Sequence, residues 1–205
     1  MEIILSNLVT LSSIVDVLLG QTFRSKAESS DPKSGAKVIQ IRDLSDTSIT
    51  DVEHLPYANL QSDKIKIFLE YQDLLLPLRG NKHLVSFFDK KSTSLPITIT
   101  NQIAALRIKS EKVNVKYLFW FFNSKAGRGK LEQISKGSTI SQINRKDLEN
   151  LKVPLPSLAE QKKIIEAHSL WLEQKDTLIE LLDNGEKLIE KYCYSVVGGN
   201  LNEKK

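Results

Sequence analysis

Apolar residues recur every seven positions along the last quarter of the chain. Ile164, Trp171, Leu178 and Tyr192 keep this spacing, and charged or amide side chains fill most of the positions between them. A repeat of seven is the period of a helix that packs along one seam against another helix. The pattern predicts one helix from Ser157 to Tyr192, about 50 Å long because each helical residue adds ~1.5 Å.

A change in residue type marks the start of this helix. The stretch Leu151–Gln161 reads LKVPLPSLAEQ, and its two prolines fix φ and remove backbone donors, so the run is extended. Ser157 is a suitable N-cap, and Glu160 three residues later completes a capping box. The sequence therefore predicts an extended spacer followed by a helix with a defined first turn.

The apolar stripe on this helix is too wide for a single helix in water. The chain holds one such pattern, so we expect the partner helix to come from a second copy or from another protein. The alternative is that the helix folds back on its own domain. Gly185 falls on the seam, where it marks either a close approach of another backbone or a bend at Asn184. The expected interface positions are Ile164, Ile165, His168, Trp171, Leu172, Leu178, Ile179, Leu182 and Ile189.

The preceding 150 or so residues contain short apolar patterns, some with the two-residue period of a strand and some with the period of a helix. Alternating apolar residues predict strands at Ala36–Ile41, Ile65–Leu69, His83–Phe88 and Ile103–Ile108. Helical patterns are found near Ser12–Val17, over Val115–Asn123 with a continuation to Arg128, and from Asn144 or Arg145 to Leu151. This order favours an α+β fold, in which a globular domain with a curled antiparallel sheet precedes a long coiled-coil-type helix. The expected division is a globular domain over residues 1–152, the proline spacer and helix over residues 153–197, and a flexible tail over residues 198–205.

Composition narrows the class of protein. Apolar residues make up 40% of the chain, which is enough for a core, and no apolar run approaches the ~20 residues that cross a bilayer. The first residues lack the basic segment of a secretory signal. The one cysteine, Cys193, excludes an internal disulfide and suits a reducing cytoplasm.

The net charge of +4 is unevenly distributed. Residues 107–156 hold 11 basic and 4 acidic side chains, whereas residues 1–106 and 157–205 are each close to neutral. A concentrated positive segment attracts phosphates and makes binding dependent on salt. The alternative is a solvated surface with an incidental excess of lysine, but aromatic residues at Tyr117–Phe122 interrupt the run. We assign these aromatic residues to the core.

The sequence contains no recognisable catalytic constellation. His54, His83 and His168 lie far apart and lack companion ligands at the spacing of a metal site. Gly127–Gly129 is too short for a phosphate-binding loop. Both Glu-x-Lys pairs fall on the long helix, where such residues are ordinary on the surface. We expect no metal and no enzymatic activity.

One longer stretch resembles a known family. Lys136–Ile165, KGSTISQINRKDLENLKVPLPSLAEQKKII, is similar to the end of a target-recognition domain and the start of the following helix in type I restriction–modification DNA specificity (S) subunits. Leu11–Phe23, Gln72–Leu75 with Arg79-Gly80, and Asn101-Gln102 resemble earlier segments of that family. A full subunit carries two recognition domains and two antiparallel long helices, whereas this chain carries one of each. The resemblance implies a half-subunit that dimerises through its helix to recognise a bipartite target.

The resemblance also implies partners. Catalysis is expected in a DNA methyltransferase subunit that uses S-adenosylmethionine, and in a restriction subunit that uses ATP and Mg²⁺, with no cofactor in this chain. The expected ligand is double-stranded DNA and the expected compartment is the cytoplasm. Two other hypotheses remain open: a non-DNA dimeric coiled-coil adaptor, and a small DNA-modifying enzyme with an unfamiliar active site.

DNA recognition in two layers is the hypothesis for the globular domain. Basic residues would hold phosphates and set the register: Lys125, Arg128, Lys130, Lys136 and Arg145. Polar residues would contact base edges or allow close backbone approach: Arg79, Asn81, Lys82, Asn101, Gln102, Ser138, Thr139 and Gln142. Asn101 and Gln102 could instead secure a loop, and Ser138 and Thr139 could cap a helix.

Overall fold

The computed structural model describes residues 7–49, 51–80, 83–135 and 141–198. The chain divides into two compact units, Met1–Lys162 and Lys163–Lys205. All the strands of the described ranges belong to the first unit. Five predicted DNA-contact residues lie outside the described residues: Asn81, Lys82, Lys136, Ser138 and Thr139.

Eleven strands and four α-helices are found in the described ranges. The strands are β1 Asn7–Thr10, β2 Val15–Leu19, β3 Glu28–Ser29, β4 Lys37–Ile39, β5 Ser48–Ile49, β6 Tyr57–Ala58, β7 Leu74–Pro77, β8 Ser86–Phe88, β9 Ile97–Ile99, β10 Ile103–Ile108 and β11 Lys152–Leu155. The helices are α1 Val115–Asn123, α2 Lys125–Ile134, α3 Arg145–Glu149 and α4 Leu158–Val196. Short 3-10 turns occupy Leu11–Ser13, Pro32–Ser34, Ile41–Asp43 and Ser62–Lys64.

The strands form three sheets. A five-stranded sheet has the order β2-β10-β7-β8-β5, a four-stranded sheet has the order β3-β6-β4-β9, and β1 pairs with β11. The pairs β4–β9 and β5–β8 are parallel and the other pairs are antiparallel. The fold is mixed α+β with a long helix after the sheets, as predicted. It differs from a single curled antiparallel sheet because two strand pairs are parallel. Long connections bring β9 back parallel to β4 and β8 back parallel to β5.

The predicted helix near Ser12–Val17 is wrong. Residues 15–19 form β2, which pairs antiparallel with β10 so that Val15 lies opposite Ile108 and Leu19 opposite Ala104. Val15 and Val17 are buried and Asp16 between them is exposed, which is the alternation of a strand with one face on the core. Pairing with a distant strand outweighs the helical spacing of the short segment.

The predicted strand at Ile65–Leu69 is also wrong, although its inward residues are correctly identified. Ile65 and Ile67 are buried. The Oγ1 of Thr98 donates a hydrogen bond of 2.8 Å to the carbonyl of Ile67, and the N–H of Leu69 donates one of 2.8 Å to Ile97. The segment therefore lies beside β9 without a regular ladder, because a side chain replaces a backbone donor.

The helix predicted to continue from Val115 to Arg128 is broken at Ser124. The backbone of Ser124 is extended, and its Oγ accepts a hydrogen bond of 3.2 Å from the N–H of Gly127, which caps the start of α2. The aromatic run belongs to the core as predicted, since Tyr117, Phe121 and Phe122 are buried.

The predicted extended conformation and helix start are confirmed. Residues 152–155 of the proline run form β11, in which Val153 lies opposite Val9 of β1. The N–H of Ser157 donates to the Oε2 of Glu160 at 2.8 Å, and the N–H of Glu160 donates to the Oγ of Ser157 at 3.3 Å. These two bonds are the predicted capping box, and α4 begins at Leu158.

Helix α4 continues without interruption through Asn184 and Gly185 to Val196. Every residue from Ser169 to Gly198 is exposed, including Trp171, Leu178 and Tyr192 of the seven-residue repeat, whereas Ile164 is half-buried. Trp171 is 55% exposed and Leu182 is 68% exposed. Among the described helices, none is both long enough and apolar enough to span a membrane.

Candidate functional site

One end of the five-stranded sheet brings together two predicted contact segments. Strands β7 and β10 are antiparallel neighbours, with Pro77 opposite Ile103. The ladder extends beyond β7, because the N–H of Leu78 donates a hydrogen bond of 2.8 Å to the carbonyl of Gln102. Arg79 therefore leaves β7 at the same end at which the turn of Asn101 and Gln102 enters β10.

A third segment joins this end from 63 residues later in the chain. The N–H of Ile143 donates to the carbonyl of Leu78 at 2.9 Å, and the N–H of Gly80 donates to the carbonyl of Ser141 at 3.1 Å. These bonds place Gln142 opposite Arg79 in an antiparallel bridge. Gly80 has φ +106°, a conformation that favours glycine.

We call Arg79, Asn101, Gln102 and Gln142 the sheet-end cluster. All four side chains are exposed. Over the part of the chain that the structure describes, none of these side chains makes a hydrogen bond or ion pair. One guanidinium and three amides with free donors and acceptors are the groups that form bidentate hydrogen bonds with base edges.

Two further residues shape this end, and the sequence analysis did not select them. A Cβ on Gly20 would lie 2.2 Å from the carbonyl oxygen of Thr100, so only glycine lets β2 approach the turn before β10. The carbonyl of Gln21 accepts a hydrogen bond of 2.9 Å from the N–H of Asn101. The available signal was a glycine directly after the apolar run of β2.

Helix α2 carries unpaired positive charge. Lys125 and Arg128 are exposed and Lys130 is half-buried, and none of the three has an ion-pair partner among the described residues. Together with His83 and Glu132, Lys125 and Arg128 line a cavity of about 530 Å³. Arg145 differs, because its Nε is 2.7 Å from the Oε1 of Glu149.

Other basic residues of the positive segment are neutralised within the fold. The guanidinium of Arg107 donates two hydrogen bonds, of 2.9 and 2.8 Å, to the carboxylate of the buried Asp73. These bonds raise the pKa of Arg107. The Nζ of Lys109 lies 2.9 Å from the Oδ1 of Asp16. Only part of the positive charge of residues 107–156 is therefore available to bind phosphates. Helix α2 carries some of that available charge.

The described residues show no metal-binding group in this region. Within the described residues, no group of three or more His, Cys, Asp and Glu side chains could hold a metal ion. His54 lies 3.4 Å from Asp51, His168 is half-buried on α4, and His83 is buried beneath the sheet-end cluster. What this surface offers is charge and hydrogen-bonding groups.

Comparison with known proteins identifies the family of this fold and surface. The sequence matches the family model for the type I restriction modification DNA specificity domain over residues 6–190. The MjaVIII type I restriction enzyme specificity subunit of Methanocaldococcus jannaschii is 28% identical over 189 residues, which is 89% of this chain and 42% of that protein. The putative MjaX specificity subunit of the same organism is 38% identical over 139 residues, which is 66% of this chain and 29% of that protein. The chain thus spans less than half the length of these curated relatives.

Solved structures share the fold. A chain from a study of complex assembly and conformational transition of the type I R-M system has a TM-score of 0.67 and 21% identity, with coverage of 91% of this chain and 43% of that one. The HsdS subunit from Thermoanaerobacter tengcongensis has a TM-score of 0.59 and 20% identity, with coverage of 90% and 41%. Since the family match extends over most of its length, the chain belongs to the type I restriction modification DNA specificity domain family.

Proposed function

We propose that the chain is a half-specificity subunit that recognises one part of a bipartite sequence in double-stranded DNA. The observation that carries the proposal is the antiparallel bridge between Arg79 and Gln142 beside the turn of Asn101 and Gln102. It places a guanidinium and three amides, all exposed and unpartnered within the described residues, at one end of a sheet. The family match favours this function over a non-DNA adaptor.

Recognition takes place in two layers. Lys125 and Arg128 on α2 contact phosphates, which supplies affinity and sets the register without specifying a sequence. The sheet-end cluster then hydrogen-bonds to base edges in the major groove, where guanidinium suits guanine and amide suits adenine. The ion pair of Arg145 with Glu149 makes Arg145 a weaker phosphate ligand, because a phosphate has to displace the carboxylate.

A second copy of the chain supplies the other half of the target. Each α4 exposes apolar side chains along its length, and burying them against another α4 removes that surface from water. The curated relatives are more than twice as long as the matched stretch, which is room for two such units. The dimer therefore presents two recognition surfaces that read two short sequences with an unread gap, as two-fold dimers do.

The dimer acts as a scaffold for catalytic partners. A methyltransferase subunit with S-adenosylmethionine modifies the target, and a restriction subunit with ATP and Mg²⁺ cleaves DNA in systems that restrict. This chain supplies no catalytic residue and no cofactor. Its proposed place of action is the cytoplasm, where its DNA target is found.

Selection from a library of random duplexes tests the proposal. Purified protein is incubated with the library at moderate salt, and the bound duplexes are sequenced. We expect enrichment of two short sequences separated by a gap of fixed length. Absence of any enriched sequence, together with binding that does not depend on salt, would contradict DNA recognition and favour the adaptor.

Substitution then separates the two layers. Arg79→Ala should weaken binding to the selected duplex by about 1–3 kcal/mol and relax the preference at one base pair. The matched control is Arg24→Ala, which removes an exposed arginine from outside the sheet-end cluster. Equal losses in both variants would contradict a role for Arg79 in base recognition.

A further inference from the structure

A chain of hydrogen bonds lies beneath the sheet-end cluster. His83 is 4% exposed, and its Nδ1 is 2.9 Å from the carbonyl oxygen of Pro77. Its Nε2 is 3.2 Å from the Oγ of Ser135, which is 2.6 Å from the Oγ of Ser141. The imidazole thus connects the end of β7, the C-cap of α2 and the first residue of the segment that pairs with Arg79.

The chemistry of the partners decides which atom donates in each of these hydrogen bonds. A carbonyl oxygen only accepts, so the Nδ1 of His83 carries a proton and its N–H donates a hydrogen bond to the carbonyl of Pro77. In the neutral ring the Nε2 is then an acceptor, and the hydroxyl of Ser135 donates to it. With the ring in that form, the Oγ of Ser135 accepts a hydrogen bond from the hydroxyl of Ser141. Every polar group of the imidazole is used, as expected for a buried histidine.

Helix α1 holds the backbone close to His83. The side chain of Asn123 accepts a hydrogen bond of 2.9 Å from the N–H of Val85 and donates one of 2.8 Å to the carbonyl of Val85. Asn123 thereby binds both backbone groups of Val85, two residues beyond His83, as a residue on a neighbouring strand would. The imidazole therefore reaches its partners from a backbone that Asn123 holds at Val85, next to β8.

We propose that His83 is the positioning residue of the sheet-end cluster. It holds Pro77 and Ser141 at a set separation, and so keeps Arg79, two residues after Pro77, and Gln142, one residue after Ser141, in the register that base recognition requires. The proposal rests on the DNA-recognition function proposed above. His83 touches no base, and its effect is exerted through the two strands that it joins.

Amide hydrogen exchange of the free protein tests the positioning directly. In His83→Ala we expect the N–H groups of Gly80 and Ile143, which close the bridge, to exchange about tenfold faster or more. The N–H of Leu106, in the centre of the same sheet, should remain unchanged. His54→Ala, at an exposed histidine, is the matched control. Unchanged protection of Gly80 and Ile143 in His83→Ala would overturn the proposal.

Ser135→Ala removes the hydroxyl that links His83 to Ser141 and leaves the imidazole in place. We expect it to accelerate exchange at Ile143 in the wild-type background and to add nothing further in the His83→Ala background, because both substitutions remove one shared connection. Additive effects of the two substitutions would mean that His83 and Ser135 act independently, and would contradict the proposed chain.

DNA binding supplies the second readout. The ratio of affinities for the selected duplex and for a scrambled duplex of equal length should fall about tenfold in His83→Ala, with affinity for the scrambled duplex within about twofold of wild type. An unchanged ratio, or a parallel loss of both affinities, would contradict positioning. If wild-type protein shows no preference, the proposed function fails, and hydrogen exchange still decides the role of His83.

Discussion

The side-chain oxygen of Gln161 accepts a hydrogen bond of 2.8 Å from the backbone N–H of Asn114. The amide nitrogen of Gln161 donates to the carbonyls of Lys112, at 2.9 Å, and Pro156, at 2.8 Å. The side chain is fully buried. One glutamine on the first turn of α4 therefore provides hydrogen-bond partners for three backbone groups. One of these groups belongs to Asn114, the N-cap residue of α1.

Gln161→Ala should destabilise the globular unit. The substitution leaves a donor and two acceptors without partners, and each buried group without a partner costs about 1–3 kcal/mol. We expect a loss of about 3 kcal/mol in the free energy of unfolding, measured by chemical denaturation. Gln133→Ala, at an exposed position of α2, is the control and should change it by less than about 0.5 kcal/mol. Equal effects at both positions would mean that the three hydrogen bonds contribute nothing.

The two glycines of α2 should respond in opposite ways to the same substitution. A Cβ at Gly127 would lie 1.9 Å from the carbonyl oxygen of Phe121, whereas a Cβ at Gly129 meets nothing within 4 Å. Gly127→Ala should cost about 3 kcal/mol or more, because the backbone at the junction of α1 and α2 has to move. Gly129→Ala should stabilise the helix by about 0.5–1 kcal/mol. Thermal denaturation measures both, and a tolerated Gly127→Ala would contradict the close junction.

Alkaline pH should weaken the contact between α1 and β11. The phenol of Tyr117 donates a hydrogen bond of 2.8 Å to the carbonyl of Pro154, and burial raises its pKa to about 12. Since the folded pKa lies above the ordinary value of about 10, the contribution of this group to stability is full below pH 10 and is lost as pH rises towards 12. Stability measured between pH 10 and 12 should therefore fall less steeply in Tyr117→Phe. A decline as steep as in wild type would show that other groups cause it.

Disruption of the apolar stripe on α4 should separate the proposed dimer. Leu178 is 51% exposed on the seven-residue repeat. Leu178→Glu places a charge in the seam, and we expect light scattering to report half the mass of the wild-type protein. Lys187→Gln changes the charge by the same amount away from the repeat and should leave the mass unchanged. A wild-type mass equal to one chain, 23.2 kDa, would rule out the homodimer.

Phosphate contacts on α2 should appear in the salt dependence of DNA binding. Each phosphate contact contributes about 0.9 to the slope of log K against log salt, because counterions are released. The double variant of Lys125→Ala and Arg128→Ala should lower this slope by about 1.8 on any duplex. Lys191→Ala on α4 serves as the control for charge alone and should leave the slope unchanged. A slope equal to wild type in the double variant would place the phosphate contacts elsewhere.

Much of the helical structure was predictable because its determinants are local. The capping box of Ser157 and Glu160, the N-cap Asn144 and Pro154 of β11 act on residues close to them in the chain. Their hydrogen bonds and fixed φ angles depend little on the rest of the chain. The seven-residue repeat of α4 is equally local, since it follows from the pitch of the helix.

The sequence predicts the residue types of the candidate site but not how the chain brings them together. Arg79, Asn101, Gln102 and Gln142 were selected as polar residues in turns, which the structure places at one end of one sheet. The connection through His83 left no sequence signal, because a single histidine has no periodicity and its partners are a distant carbonyl and two serines.

The sequence by itself determined where α4 begins, where α3 begins to within one residue, which apolar face α4 exposes, and the family to which the chain belongs. Only the tertiary structure decided that Val15–Leu19 is a strand, that Arg107 is neutralised by Asp73, and that Gln142 meets Arg79. The physical reason is the range of the interactions. Caps, prolines and helical repeats act over a few residues, whereas strand register is set by hydrogen bonds between segments that become neighbours only on folding.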